Sequence, residues 1–199
     1  MLTKLKNDPS NYVNKYGYQL GVKYVDAFGI ANLDLQVESN RVRPFTYSHY
    51  DSVSNYTHYN QPMAHPLGAN FQEFIGIIKY QPIPKLYINA RAIYYFQGLD
   101  SAGYNFGSNP LRLYNTDRPL LDPNDPLSQR TNGFKVGSGM KATCLNALLQ
   151  VSYELKENLY IDLSLQHRTY KVDLLNTNIS NTLVTAGIRL NMFKRAYDF

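Results

Sequence analysis

Seven stretches of this chain alternate apolar and polar side chains with a period of two, and that pattern leaves few folds open. It is the signature of β-strands with one apolar face and one wet face. In Lys15–Val25, Tyr16, Tyr18, Leu20, Val22 and Tyr24 oppose Gly17, Gln19, Gly21 and Lys23. The second stretch, Ile30–Arg41, sets Leu33, Leu35 and Val37 against Asn32, Asp34, Gln36 and Glu38. Phe71–Gln81, with less distinct faces, sets Phe74, Gly76, Ile78 and Tyr80 against Glu73, Ile75, Ile77 and Lys79. Lys85–Gln97, Ser138–Leu155 and Leu159–Tyr170 repeat the pattern, and Val184, Ala186, Ile188, Leu190 and Met192 carry it through the closing stretch Leu183–Phe199.

The connections are as informative as the strands. They run short (Asp26–Gly29), long (Val42–Asn70), short (Pro82-Ile83-Pro84), long (Gly98–Gly137), short (Lys156-Glu157-Asn158) and medium (Lys171–Asn181). Bacterial outer-membrane β-barrels have short periplasmic turns and longer extracellular loops. With the C-terminus periplasmic, every short turn falls on the periplasmic side and every longer loop outside. The aromatic ends of the apolar faces agree: Tyr16, Tyr18, Phe74, Tyr94 and Phe96 mark an outer girdle, and Tyr24, Tyr80 and Tyr153 an inner one. The expected fold is therefore all-β, an antiparallel transmembrane barrel forming a single domain, its apolar face against outer-membrane lipid. A soluble antiparallel sandwich also alternates, but its strands are usually shorter and its loops lack this asymmetry.

Composition fits a barrel better than it first suggests. Mean hydropathy is −0.39, because half of each strand is polar. Tyr accounts for 18 of 199 residues, with no Trp. No run reaches the roughly 18 apolar residues of a membrane helix. The net charge of +5 comes from scattered Lys and Arg, without the basic run or helix of a nucleic-acid footprint. The single cysteine, Cys144, excludes an internal disulfide framework and reads as a small strand residue. Met1–Ser10 lacks the apolar h-region of a signal peptide, and seven strands fall below the barrel minimum of about eight. Together these predict the C-terminal part of a larger barrel, with residues 1–14 as the end of an extracellular loop.

Candidate site residues lie in the first long loop and on the polar faces. Tyr47, Tyr56 and Tyr59 offer apolar faces with polar tips, and Asn60, Gln61 and Asn70 offer paired donors and acceptors. With His49, His58 and His65 they suit an extended polar ligand such as a glycan. An equally good reading folds the same residues inward as a plug or rim. The histidines are spaced by nine and seven residues, which matches no compact metal motif, so no metal or other cofactor is assigned. Lys23, Asp34, Glu38, Glu73, Lys79, Arg91, Asp162, Arg168 and Arg189 would line the lumen as a solvated network of mixed charge. No nucleophile elbow or His-Glu-x-x-His occurs, and no catalytic residues or enzyme activity are expected.

Three segments, RVRPFTYSHYD, NYTHYNQPMAHPLGANF and the ending IRLNMFKRAYDF, resemble the C-terminal half of Bacteroidetes outer-membrane proteins of the Wzi-like capsule-assembly family, which includes barrels linked to gliding motility. The resemblance implies a barrel of about 18 strands that anchors capsular polysaccharide at the cell surface in a lectin-like manner. Two other expectations stay open: a barrel subunit of a gliding or secretion apparatus with cell-envelope protein partners, and a diffusion porin.

Overall fold

A computed structural model describes residues 8–191 of the chain. The tail from Met192 onward, with the expected end of the apolar face and the terminal aromatic, lies outside the described residues, as does the first half of segment 1–14. The elements are β1 (Gly17–Tyr24), β2 (Leu33–Val42), β3 (Thr57–His58), β4 (Gln61–Pro62), β5 (Phe71–Ile83), β6 (Leu86–Leu99), β7 (Met140–Lys156), β8 (Leu159–Val172) and β9 (Thr177–Leu190). Seven of them form one antiparallel sheet in the order β1-β2-β5-β6-β7-β8-β9, and β3-β4 is a separate hairpin. Among the described residues β1 and β9 do not pair with each other, so the sheet is open rather than a closed barrel.

Every ladder pairs apolar faces with apolar faces. One rung runs Tyr24, Leu35, Ile78, Ala90, Leu149, Leu165, Val184 from edge to edge. The next rung toward the long loops runs Val22, Val37, Gly76, Ala92, Ala147, His167, Thr182. β1 and β9 are exposed on both faces, but within the sheet the apolar face is the more exposed one. In β7, Leu145, Leu149, Tyr153 and Leu155 are exposed, whereas Ala142, Cys144 and Ser152 on the polar face are buried.

The apolar band does not follow the rungs. Its aromatic or aliphatic margin on the short-turn side is Tyr24 on β1, Tyr80 on β5, Tyr153 on β7 and Leu190 on β9, each one rung below the last. One rung is two residues and each step crosses two strands, so the band shifts by about one residue per strand. With a rise of about 3.3 Å per residue and about 4.8 Å between strands, the band is inclined to the rungs by about 35°.

Most strand ends lie one to three residues from those of the sequence pattern, β2 beginning at Leu33 instead of Ile30, and two further differences concern turns. The last strand begins at Thr177, so a turn at Asp173–Asn176 replaces the medium loop expected at Lys171–Asn181. Asn178, Ser180 and Thr182 occupy apolar-face positions there, which erases the alternation while the backbone ladder continues. β5 also runs through Pro82 to Ile83, leaving Pro84-Lys85 as the turn. The register shift between Tyr80 and Ile83 is a bulge, where a residue without an N–H fits.

The enclosed core lies in the loops. Segment 8–16 and the two long loops pack over one end of the sheet around Pro44, Phe45, Phe71 and Phe134, all fully buried, and the rings of Phe45 and Phe134 meet edge to face at 5.0 Å. Arg43 donates to the carbonyls of Asn14 and Phe134, both at 2.9 Å. Asn70, fully buried with φ of 61°, donates to the carbonyls of Gly98 and Ser138 at 2.8 Å and of Phe106 at 3.2 Å, and accepts from the Gly137 N–H at 2.8 Å. This one side chain ties both loops to β6.

Candidate binding cleft on the polar face

After Pro62 the first long loop turns down over the polar face and carries His65 to Glu73 on β5. His65 stacks on Phe71, with ring centroids 4.4 Å apart. Its Nδ1 accepts the Leu67 N–H at 3.2 Å, so the proton of the neutral ring sits on Nε2 and is donated to Glu73 at 3.1 Å. Asn40, across the ladder on β2, donates to the same carboxylate oxygen at 2.8 Å. The buried Glu73 is thus doubly held, as a desolvated carboxylate requires.

Beneath this contact lies a cavity of about 500 Å³. Its floor carries Ile75, Ile93 and Tyr95, and its two walls carry Gln19, Glu38 and Asn40 on one side and Cys144, Asn146 and Arg168 on the other. A second cavity of about 370 Å³ shares Gln19, Asn40 and His65 and adds Tyr47. An apolar floor between rows of donors and acceptors suits a ligand with apolar faces and polar edges. Gln19 donates to Glu38 at 3.2 Å, and Asn146 accepts from Gln166 at 3.1 Å, so both amides keep groups free for a ligand.

The expected loop residues divide among four places. His65 and Tyr47 reach the cleft. Tyr47 and Tyr56 lie with ring centroids 5.8 Å apart; burial pushes the Tyr47 hydroxyl pKa up and nearby Tyr56 adds to the shift. His58, Tyr59, Asn60 and Gln61 form the exposed tip of the β3-β4 hairpin, where left-handed Tyr59 and Asn60 (φ of 46° and 58°) make the two-residue turn. His49 packs against Tyr50 and Tyr114 instead. Asn70 is corrected from a ligand residue to a structural one, since its amide is spent on four backbone groups in the loop core.

Among the described residues no three His, Cys, Asp or Glu side chains are grouped to hold a metal. All nine charged residues expected on the wet side do share the polar face. Lys23 pairs with Asp34 at 2.9 Å, and Arg189 with Asp162 at 2.8 Å while lying over the Tyr160 ring. Gln19, Asn40, Tyr95 and Asn146 are cleft residues that the sequence pattern gives only as polar-face positions. Strand pairing alone brings them together. The chain matches no family model, no characterised protein and no solved structure.

Proposed function

We propose that the sheet is part of an outer-membrane β-barrel and that its loop-roofed cleft binds a surface polysaccharide without acting on it chemically. The observation that carries the membrane reading is the division of the sheet into an exposed apolar face and an opposite face that holds the charges, with its apolar band inclined by about 35°. Transmembrane barrel strands tilt by about 35–45° and carry an apolar band of about 25 Å. Leu145–Leu155 on β7, projected at that tilt, spans about 27 Å. The two long loops and the Asp173–Asn176 turn then face outward, and the turns after β1, β5 and β7 face the periplasm.

The glycan reading rests on the cleft. Tyr47, Tyr95, Ile75 and Ile93 offer apolar surface to sugar rings, and Asn40, Asn146, Gln19 and Glu38 offer hydroxyl-matching groups. The resemblance to the Wzi-like family implies the same ligand class. A second reading, contact with a cell-envelope protein in a gliding or secretion apparatus, is favoured by the loop tips: Val53, Tyr59 and Leu127 are 89%, 89% and 91% exposed.

Binding of the purified full-length protein to polysaccharide from its own cell surface discriminates between them. Asn146→Ala and Tyr47→Ala are expected to weaken binding by about ten-fold each, a lost hydrogen-bonded or stacked contact, while Tyr59→Ala leaves it unchanged. Loss with Tyr59→Ala alone, or stoichiometric protein capture without glycan binding, overturns the cleft assignment.

A further inference from the structure

The exposed apolar face has a trough of about 590 Å³ at its centre. Gly76, Ala90, Ala92 and Ala147 form its floor on adjacent strands, between Val37 on one side and Leu165 on the other. A Cβ added at Gly76 would meet nothing within 4 Å, so the space is open rather than filled by a neighbour. Small side chains between Leu35, Val37, Ile78, Leu149 and Leu165 make this depression, with His167 at its β8 margin, held by Thr169 and Thr182.

The same face ends, toward the long loops, in Arg41, Lys141 and Lys171. Arg41 donates to Gln72 at 3.3 Å, and Lys141 lies over the Phe96 ring at 5.3 Å. Thr143 stands opposite Lys171, which makes Lys141 and Lys171 diagonal neighbours across the β7-β8 ladder. Asp173 lies across from Lys141, its N–H on the Lys141 carbonyl at 3.1 Å. Among the described residues none of the three basic side chains makes an ion pair within 4.0 Å. Lys171 is two rungs and Lys141 three rungs above the trough, about 11 Å and about 16 Å in depth at the 35° tilt, and one leaflet of hydrocarbon is about 15 Å deep.

We propose that trough and rim together hold one anionic, phosphate-headed acyl lipid of the outward leaflet, its phosphate between Lys141 and Lys171 and an acyl chain over Gly76, Ala92 and Ala147. Charge complementarity selects the headgroup: Lys141 and Lys171 are diagonal neighbours beyond the apolar band, and neither is ion-paired, even with the nearby Asp173 carboxylate, so both are available to a phosphate. The trough selects a chain, because a slot of this shape left empty forfeits van der Waals contact with the lipid around it. This assignment rests on the membrane reading above.

The test is native mass spectrometry of the full chain released from detergent after exposure to dimyristoyl phosphatidylglycerol, dimyristoyl phosphatidylcholine or inorganic phosphate. The expected result is one retained phosphatidylglycerol, preferred over phosphatidylcholine by roughly 30-fold from the two lysines. Lys141→Gln with Lys171→Gln should abolish the preference. Ala92→Leu with Ala147→Leu should lower retention with the lysines intact. Equal retention of both lipids would leave the sheet in lipid but remove the specific site. Displacement by inorganic phosphate would reduce it to an anion site and overturn the acyl assignment. No lipid retained at all, together with failure of the depth measurement described below, would overturn the membrane reading itself.

Discussion

Tyr153 lies two rungs below Tyr24 on the same apolar face of the sheet, four strands away in sheet order. Tyr80 stands on the rung between them, two strands from each. A line through the three tyrosines crosses the hydrogen-bonding direction at about 35°. If that line marks the membrane–water interface, the strands tilt through the bilayer and the tyrosines share one depth, as aromatic girdles do.

Asn70 should be the most sensitive single position in the loop cap. Removing its amide leaves the carbonyls of Gly98, Phe106 and Ser138 and the Gly137 N–H without their partner. Asn70→Ala is expected to cost about 3 kcal/mol in urea unfolding, partly from the left-handed backbone that alanine resists. Asn70→Gly relieves the backbone cost only, so it should recover about 1 kcal/mol. Full recovery with glycine would mean that the four hydrogen bonds contribute little.

Gly98 tests the same junction by shape. A Cβ there would lie 2.0 Å from the Ser138 carbonyl oxygen and 2.5 Å from Asn70 Nδ2. Gly98→Ala should therefore separate the second loop from β6 and expose Lys135 and Arg130 to faster trypsin cleavage than in the unmodified chain. An unchanged digestion pattern would contradict the packing described for this corner.

Lys15 gives the loop cap a pH dependence. Its ammonium donates to the Ser48 carbonyl at 2.5 Å and lies 3.8 Å above the Tyr114 ring, and burial lowers its pKa to about 8. In the unfolded chain a lysine titrates near 10.4. Between the two values the unfolded state binds more protons, so stability rises with pH. From about pH 7.5 to about pH 9.5 the unmodified protein should gain stability relative to Lys15→Met, in which that slope is absent. Parallel stability curves for the two would show that Lys15 is not desolvated.

The sheet was legible in the sequence because each strand has one apolar face, and the residue types on that face were enough to orient Lys23, Asp34, Arg168 and Arg189 correctly. Legibility failed where the alternation did. Thr177–Thr182 pairs with β8 through its backbone although its side chains, polar on both faces apart from Ile179, carry no alternation, and Pro82 sits inside a strand because a bulge accommodates it. The cleft was only half legible. His65 and Tyr47 stood out by type, whereas Asn40, Tyr95 and Asn146 are separated by long loops in the chain and meet only through register. Asn70 looked like the loop residues that bind ligands, and burial alone distinguishes it from them.

The most direct measurement of the membrane reading is depth-dependent quenching by nitroxide lipids of a fluorophore on single cysteines in the Cys144→Ala background, with the full chain in lipid vesicles. Labels at Leu149→Cys, Leu165→Cys and Ile188→Cys should be quenched, and labels at Gln150→Cys and Ser164→Cys should not. Tyr24→Cys and Tyr153→Cys should report one depth, while Leu149→Cys, on the same rung as Tyr24, should lie about 11 Å nearer the bilayer centre. Equal quenching on both faces, no quenching on either, or a common depth for Tyr24→Cys and Leu149→Cys would contradict a tilted sheet with its apolar face in lipid.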